Sequence, residues 1–322
     1  MPELPEVETA ARQLREWVQG RRVTAARAEK TRVVRGQDPQ ALASIVGHRL
    51  LSIERLGKWM LLSFDRGAGL LSHLGMTGKW LRRSRGEASG PHVRASLEFE
   101  GGVLLDYRDP RLFGRLLAGP PEELRRQPAL ASLGPDPLSG VDARTLTAAL
   151  SGTRRSIKEA LMDQHTLAGL GNIQVSESLF RAQLHPEKSA ETLTRVEVER
   201  LSRAIEASLR FTLEHERGEE PIDYIEEGGA NFFLVYGRAG EPCPTCKTPL
   251  ERIVQGGRST FFCPTCQPGP TPRRKKSPAK VPAPAKSRTA KARPAKAKQP
   301  AKTKSPAKPK TKATARSFGR GK

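Results

Sequence analysis

The sequence predicts an α+β fold: an N-terminal β-sandwich flanked by helices, a helical segment, a cysteine-bearing β-hairpin and a disordered basic tail. Three observations predict it. Six short β-rich runs with glycine turns follow an opening helix, all before residue 108. Beyond a proline-rich stretch, Gly134-Pro135-Asp136-Pro137, the apolar period lengthens to that of helices. All four cysteines fall between Cys243 and Cys266, and from residue 268 the chain is dominated by Pro, Ala, Lys, Ser and Thr.

Each element has its own signal. Val7, Ala10, Ala11, Leu14, Trp17 and Val18 recur at helical spacing, and Gly20 stands where a C-terminal cap belongs. The β-rich runs are 22–28, 50–55, 59–64, 70–74, 93–100 and 103–107. Turns at Gly67-Ala68-Gly69 and Gly101-Gly102 punctuate them. Helical patterns follow at 143–150, 157–162, 173–183 and 196–214. The expected domains are a catalytic sandwich (1–133), a helical domain (134–237), a hairpin (238–267) and the tail (268–322).

The chain has 322 residues, with 56 Lys and Arg against 34 Asp and Glu, a net charge of +22. The tail carries 19 Lys and Arg and no acid, which leaves 37 basic against 34 acidic residues in the body. Pro-Ala-Lys recurs five times in it, starting at Pro278, Pro284, Pro294, Pro300 and Pro306. Such a segment has little to bury and repels itself, so disorder is expected. A polycation seeks polyanions, chiefly nucleic acid, by counterion release; the simpler reading is a solubilising tail. No apolar run is long enough to span a membrane, and the acidic start MPELPEVETA is unlike a secretory leader.

Cys243-Pro-Thr-Cys246 and Cys263-Pro-Thr-Cys266 are two C-x-x-C knuckles separated by 16 residues. Four thiolates at this spacing close a tetrahedral zinc site with no open position, so one structural zinc ion is expected. Redox-active dithiols are the less favoured alternative. Two strands, 250–255 and 259–262, meet at Gly256-Gly257, a favoured hairpin turn, which puts Arg258 near the tip. Reduced cysteines point to a cytoplasmic compartment.

Pro2 follows the initiator methionine, whose removal exposes a secondary amine. An α-amino group titrates near ~8, against ~10.4 for lysine, so more of it is neutral and nucleophilic near pH 7. Glu3 and, one turn on, Glu6 are placed to handle protons. From spacing alone, a proline that merely starts the chain and acids that complement a helix N-terminus is the simpler account.

The motifs change that weighting. Pro2-Glu3-Leu4-Pro5-Glu6-Val7-Glu8 resembles the opening of formamidopyrimidine-DNA glycosylases, base-excision repair enzymes. His73-Leu74-Gly75-Met76-Thr77-Gly78, Asp109-Pro110-Arg111-Leu112-Phe113-Gly114, Leu133-Gly134-Pro135-Asp136-Pro137, Gly169-Leu170-Gly171-Asn172-Ile173 and the cysteine hairpin follow in that family's order. The resemblance covers roughly residues 2–267.

It implies a bifunctional glycosylase and abasic-site lyase that needs no catalytic cofactor. Pro2 would attack the anomeric carbon, expel an oxidised purine and leave a Schiff base. Glu3 would shuttle protons at the deoxyribose, and β- and δ-elimination would cut the strand. Lys58 and Arg258 match residues that assist the chemistry and grip phosphates. Met76, Arg111 and Phe113 match the wedge that fills the gap left by a flipped base. Glu6, His73, His92, Lys158 and Asn172 fall at DNA-contact positions, with Asn172 also expected to cap the helix it opens. The expected partner is damaged duplex DNA, the expected state a monomer, and the expected location a bacterial cytoplasm.

Three departures stand out. Gln174-Val175 replace the family's usual Tyr-Ala. The 218–236 segment, where a lesion-capping loop belongs, is shorter than usual and lacks the family's customary Thr/Ser-rich pattern. The chain runs more than fifty residues past the last cysteine. Two rival readings remain open here: the sister branch acting on oxidised pyrimidines, and a non-catalytic DNA-binding protein.

Overall fold

The computed structural model describes residues 2–216 and 231–269. The basic tail, and residues 217–230 with most of the expected capping loop, lie outside them.

Helix α1 (Leu4–Val18) starts three residues before its apolar period does, with Pro5 in the first turn, where a missing N–H costs nothing. Eight strands follow: β1 (Val23–Ala28), β2 (Leu50–Leu56), β3 (Trp59–Phe64), β4 (Gly69–His73), β5 (Lys79–Arg83), β6 (Val93–Phe99), β7 (Val103–Arg108) and β8 (Arg115–Ala118). They form two antiparallel four-stranded sheets, ordered β1-β6-β7-β5 and β2-β3-β4-β8. Trp59 pairs with His73, and His73 with Arg115, so these three form a row across the second sheet beside Lys58.

Both sheets share a core with α1, built from residues such as Leu14, Met60, Leu62, Leu97 and Tyr107. The second sheet is covered on its other face too. There Leu61 and Leu71 meet Leu124 and Leu130, from the short helices α2 (Pro121–Arg125) and α3 (Pro128–Ala131). Burial on both faces explains why β3 reads as an apolar run interrupted only by Ser63. The sequence pattern missed four elements here. β5 is Lys/Arg-rich, β8 has four residues, and α2 and α3 have five and four.

The helical part comprises α4 (Ala143–Ala149), α5 (Ile157–Met162), α6 (Asn172–Arg181) and α7 (Arg195–His215). Its core of Leu146, Leu161, Leu179, Leu201 and Leu209 also takes in Leu4, so the chain's start is plugged into the helical part. Arg55 reinforces that junction, pairing with Glu8 at 3.0 Å and Asp136 at 2.7 Å. The cysteine hairpin, β9 (Glu251–Gln255) and β10 (Arg258–Phe262), packs against Phe180 of α6. No helix among the described residues is long and apolar enough to cross a membrane.

Candidate active site

The site is assembled where the chain's start meets the N-terminus of α6. Pro2 and Glu3 are buried. The Glu3 carboxylate accepts the backbone N–H of Ile173 at 2.8 Å and of Gln174 at 3.0 Å. It occupies an anion site made by the first free N–H groups of a helix. The glycines of Gly169-Leu170-Gly171 make room for it. A Cβ on Gly171 would lie 2.4 Å from Glu3 Cδ and Oε1, and one on Gly169 would lie 2.7 Å from Leu4 Cβ. The Leu4 N–H donates to the Gly169 carbonyl at 3.0 Å, and the Glu3 N–H to Glu6 Oε2 at 3.0 Å. Residues 2–6 are thereby fixed in direction as well as place.

This overturns one expectation. Asn172 does not cap α6: Gly171 holds the cap position, Asn172 is the first helical residue, and Glu3 takes the free N–H groups. The physical reason is steric, because only a glycine at the cap leaves space for a carboxylate from outside.

Three carboxyl groups, Glu3, Glu6 and Glu216, act on one another here. Burial, reinforced by repulsion from Glu3, raises Glu6 to about 7. Burial also raises Glu216, at the end of α7, to about 10, with Glu6 and Glu3 adding repulsion. Glu216 Oε2 is buried without a hydrogen-bond partner among the described residues. Lys58 is lowered by burial, with the attraction of Glu3 and Glu6 opposing and repulsion from Arg258 adding to it. Lys158 is fully buried and lowered to about 8, by burial first and then by Arg258. Its Nζ donates to the Ser259 carbonyl at 3.3 Å and to Thr260 Oγ1. Asn172 Nδ2 donates to the same Ser259 carbonyl at 2.8 Å. In this structure Lys158 and Asn172 therefore clamp the hairpin, and so position exposed Arg258 at its tip.

A second group surrounds Asp109. Its carboxylate accepts Thr77 Oγ1 at 2.8 Å and the backbone N–H groups of Arg111 at 3.2 Å and Gly114 at 2.8 Å. One buried acid thus ties the loop bearing Met76 to the loop bearing Arg111 and Phe113. Phe113 is 50% exposed, and the Arg111 guanidinium lies 5.1 Å from its ring centre. An exposed aromatic on a loop braced by a buried carboxylate is a rigid projection. His92, exposed and with a positive φ of 67°, adjoins it: its carbonyl accepts the Asp109 N–H at 3.0 Å. His73 is different. Burial, then repulsion from Lys58 and Arg115, lowers it to about 4, so it is neutral. Its Nδ1 accepts the Gly75 N–H at 3.0 Å, which leaves the proton on Nε2.

Cys243, Cys246, Cys263 and Cys266 bring four Sγ atoms within 4.8 Å of one another, with no other His, Asp or Glu in the group. Tetrahedral zinc–thiolate bonds of ~2.3 Å require sulfur separations of about 3.8 Å, so the donor set fits a zinc ion. The hairpin is anchored besides. Gln267 Oε1 accepts the Cys263 N–H at 2.9 Å, and its Nε2 donates to the Leu184 carbonyl at 2.8 Å.

Three family models match in order: the formamidopyrimidine-DNA glycosylase N-terminal domain over residues 1–116, that family's H2TH domain over 133–221, and the zinc finger found in FPG and IleRS over 240–269. The formamidopyrimidine-DNA glycosylase of Geobacillus kaustophilus is 40% identical over 275 residues, covering 83% of this chain and 100% of the relative. The chain belongs to the formamidopyrimidine-DNA glycosylase family. The same enzyme of Thermus thermophilus is 41% identical over 278 residues, covering 83% and 98%. The crystal structure of the MutM (Fpg) protein from that organism is 39% identical with a TM-score of 0.71, covering 84% of this chain and all of that one. Lactococcus lactis Fpg in complex with abasic-site DNA is 29% identical with a TM-score of 0.73, covering 83% and 100%. The α+β architecture, the DNA glycosylase and lyase class and the structural zinc come with that membership.

Within this glycosylase fold, three functional features escaped sequence reasoning. Glu216 belongs to the carboxyl cluster but looks like any solvated acid at a helix end. Buried Glu177 accepts the N–H groups of Leu234, Val235 and Tyr236 at 2.9–3.0 Å, anchoring the chain that leads into the zinc hairpin. Gln174, read as a departure, is fully buried: it donates to Thr212 Oγ1 at 2.8 Å and accepts from Ser208 Oγ at 2.9 Å, joining α6 to α7.

Proposed function

We propose that this protein excises oxidised purines, 8-oxoguanine and formamidopyrimidines, from duplex DNA and then cleaves the abasic strand. The observation that carries the reading is Glu3 fixed on the N-terminus of α6 beside buried Pro2, with Lys58 under the charges of both Glu3 and Arg258. After removal of Met1, the Pro2 nitrogen attacks C1′ and the bond to the base breaks, the base leaving with a proton. The sugar ring opens to an iminium, which acidifies the C2′ hydrogens. Loss of one of these expels the 3′ phosphate; a second elimination expels the 5′ phosphate. Glu3 exchanges the protons, while Lys58 and Arg258 hold phosphate oxygens. Solved relatives support the substrate class: one is MutM with DNA containing carbocyclic 8-oxo-G, another Lactococcus lactis Fpg with DNA containing FAPY-dG.

Met76, Arg111 and Phe113 fill the space of the extruded base, and the Asp109 network supports that role by holding both loops. His73, with Nε2–H, and His92 contact the backbone. Lys158 and Asn172 assist through the hairpin, and their phosphate contacts form when DNA displaces part of that clamp. The body (1–133, 134–237 and 238–267) acts as a monomer in a bacterial cytoplasm, where the thiols stay reduced. The tail adds non-specific affinity for DNA.

Borohydride trapping on duplexes carrying 8-oxoguanine, formamidopyrimidine or an oxidised pyrimidine tests this. A covalent adduct is expected with the purine lesions, weakened in Pro2→Gly. Glu3→Gln is expected to abolish base removal. No adduct on any duplex overturns the reading in favour of a binding module; an adduct with the pyrimidine lesion alone moves it to the sister branch.

A further inference from the structure

At the far end of α6 from the catalytic cluster lies a cleft of about 460 Å³ between α6, α7 and the zinc hairpin. Arg181 lies nine positions beyond Asn172, about 13 Å along the helix. Arg200, Arg203, Ala204 and Ala207 line it from α7, at i, i+3, i+4 and i+7 of one helical face. Arg181 closes the α6 side, its guanidinium held 4.8 Å from the Phe211 ring centre. Arg181 Nε and Nη2 and Arg200 Nε are buried with no hydrogen-bond partner among the described residues. The nearest carboxylate, Glu177, already serves three backbone N–H groups. Elsewhere on α7, Arg195 and Arg210 are paired with Glu199 and Glu206 at 2.9 and 2.7 Å. Among the described residues the unpaired arginines of α7 thus gather at this cleft, and no Asp or Glu lines it; Cys266 of the metal site and Thr245 close its hairpin side.

Buried guanidinium N–H groups without acceptors are destabilising, and a ligand carrying carboxylates or phosphates would supply the missing acceptors. The floor selects between these. Phe180, Ala204 and Leu234 give it an apolar strip, beside the polar Gln183 and Thr245. A nucleic-acid backbone has no large apolar group to place there, only its sugar carbons. We propose that the cleft docks a short acidic peptide ending in a large apolar residue, its carboxylates on Arg181, Arg200 and Arg203 and its apolar side chain on Phe180 and Leu234. Such a site would let a partner protein hold the enzyme without occupying the lesion pocket, and it does not depend on the catalytic reading.

The test uses full-length, zinc-loaded protein and fluorescein-labelled Asp-Asp-Asp-Asp-Leu-Phe with a free carboxyl end, followed by anisotropy at physiological salt. The basic tail also attracts this peptide, equally in every variant, so the comparison is between charge-matched pairs. Arg200→Gln/Arg203→Gln removes two cleft charges and leaves the stacked Arg181 in place; Arg195→Gln/Arg210→Gln removes two charges from the same helix outside the cleft. The cleft pair is expected to weaken peptide binding about tenfold and the outside pair less than twofold. Both should keep the same zinc content, lyase rate and affinity for undamaged duplex. Equal effects of the two pairs, or none, overturn the proposal. A selective loss of duplex affinity in the cleft pair reassigns the cleft to nucleic acid, and a loss of zinc reassigns its arginines to the metal site.

Discussion

Gly171→Ala isolates the placement of Glu3 from its chemistry. Gly171 has φ −139° and ψ −159°, extended backbone that alanine adopts freely, so the substitution carries no conformational strain. Its only consequence is a methyl group 2.4 Å from the Glu3 carboxylate, where contact requires about 3.5 Å. Glu3 must withdraw by about 1 Å. It then weakens or loses two charge-assisted hydrogen bonds, each worth roughly 1.5–3 kcal/mol. Alanine returns about 0.4–1 kcal/mol by restricting the unfolded chain, so the net loss is about 2–5 kcal/mol where both bonds are lost and less where they only weaken, several degrees in Tm. Misplacing a reacting group by about 1 Å can slow a step about 10²-fold. Single-turnover excision from an 8-oxoguanine duplex should fall by that order. Trapping on a preformed abasic site should fall far less, because the exposed aldehyde needs no base expelled. Gly90→Ala, with nothing within 4 Å of the added carbon, is the control. Excision within threefold of wild type, with Tm unchanged, would refute the claim that Gly171 exists to seat the carboxylate.

Three further outcomes are expected. Glu6 and Glu216 bind protons more tightly folded than unfolded, so stability falls as pH rises from about 4.5, through about 7 for Glu6 and about 10 for Glu216. Glu216→Gln should therefore raise Tm at pH 8 by a few degrees and change it little at pH 4; thermal melts with an equal gain at both pH values would contradict the cause. Zinc removal by a chelator should loosen the 240–267 hairpin and with it Arg258, lowering lyase turnover at least tenfold with recovery on zinc addition; unchanged protection of the Cys263 amide in hydrogen exchange would contradict this. Deleting 268–322, with its 19 basic residues, should leave low-salt turnover nearly intact while flattening the dependence of DNA affinity on salt; an identical slope would remove the tail from the interface.

Local patterns revealed the parts of this molecule, and the site depends on how distant parts meet. The strands at 59–64 and 103–107, the helix at 157–162 and the cysteine knuckles were legible because period and spacing are local properties. β5 was hidden by its lysine and arginines, and β8 by its four-residue length. Asn172 looked like a cap because asparagine often is one; no pattern near residue 172 shows that a carboxylate 169 positions earlier satisfies that helix instead. Glu216 and the three cleft arginines were invisible for the same reason. The readings given to them follow from the lack of a partner among the described residues, which is a property of the folded arrangement alone.

That arrangement also explains why so much of the site is coupled. Pro2, the proposed nucleophile, lies at the start of the chain and is held only from the side that follows it. Here the hold is shared: Leu4 enters the helical core, Glu3 takes the N–H groups of Ile173 and Gln174, and Glu6 takes the Glu3 N–H. The opposite wall is secured separately, since Lys158 and Asn172 both grip Ser259, one residue from Arg258. α6 therefore contributes to both walls of the pocket from its first three residues, Asn172 to one and Ile173 and Gln174 to the other. A small rotation of this helix would move Glu3 and Arg258 together, preserving their separation while shifting both against the DNA. The buried Gln174, linked to Thr212 and Ser208 of the 21-residue α7, resists that rotation. Its replacement by an apolar residue should thus impair excision and elimination alike, whereas a defect confined to Glu3 separates the two.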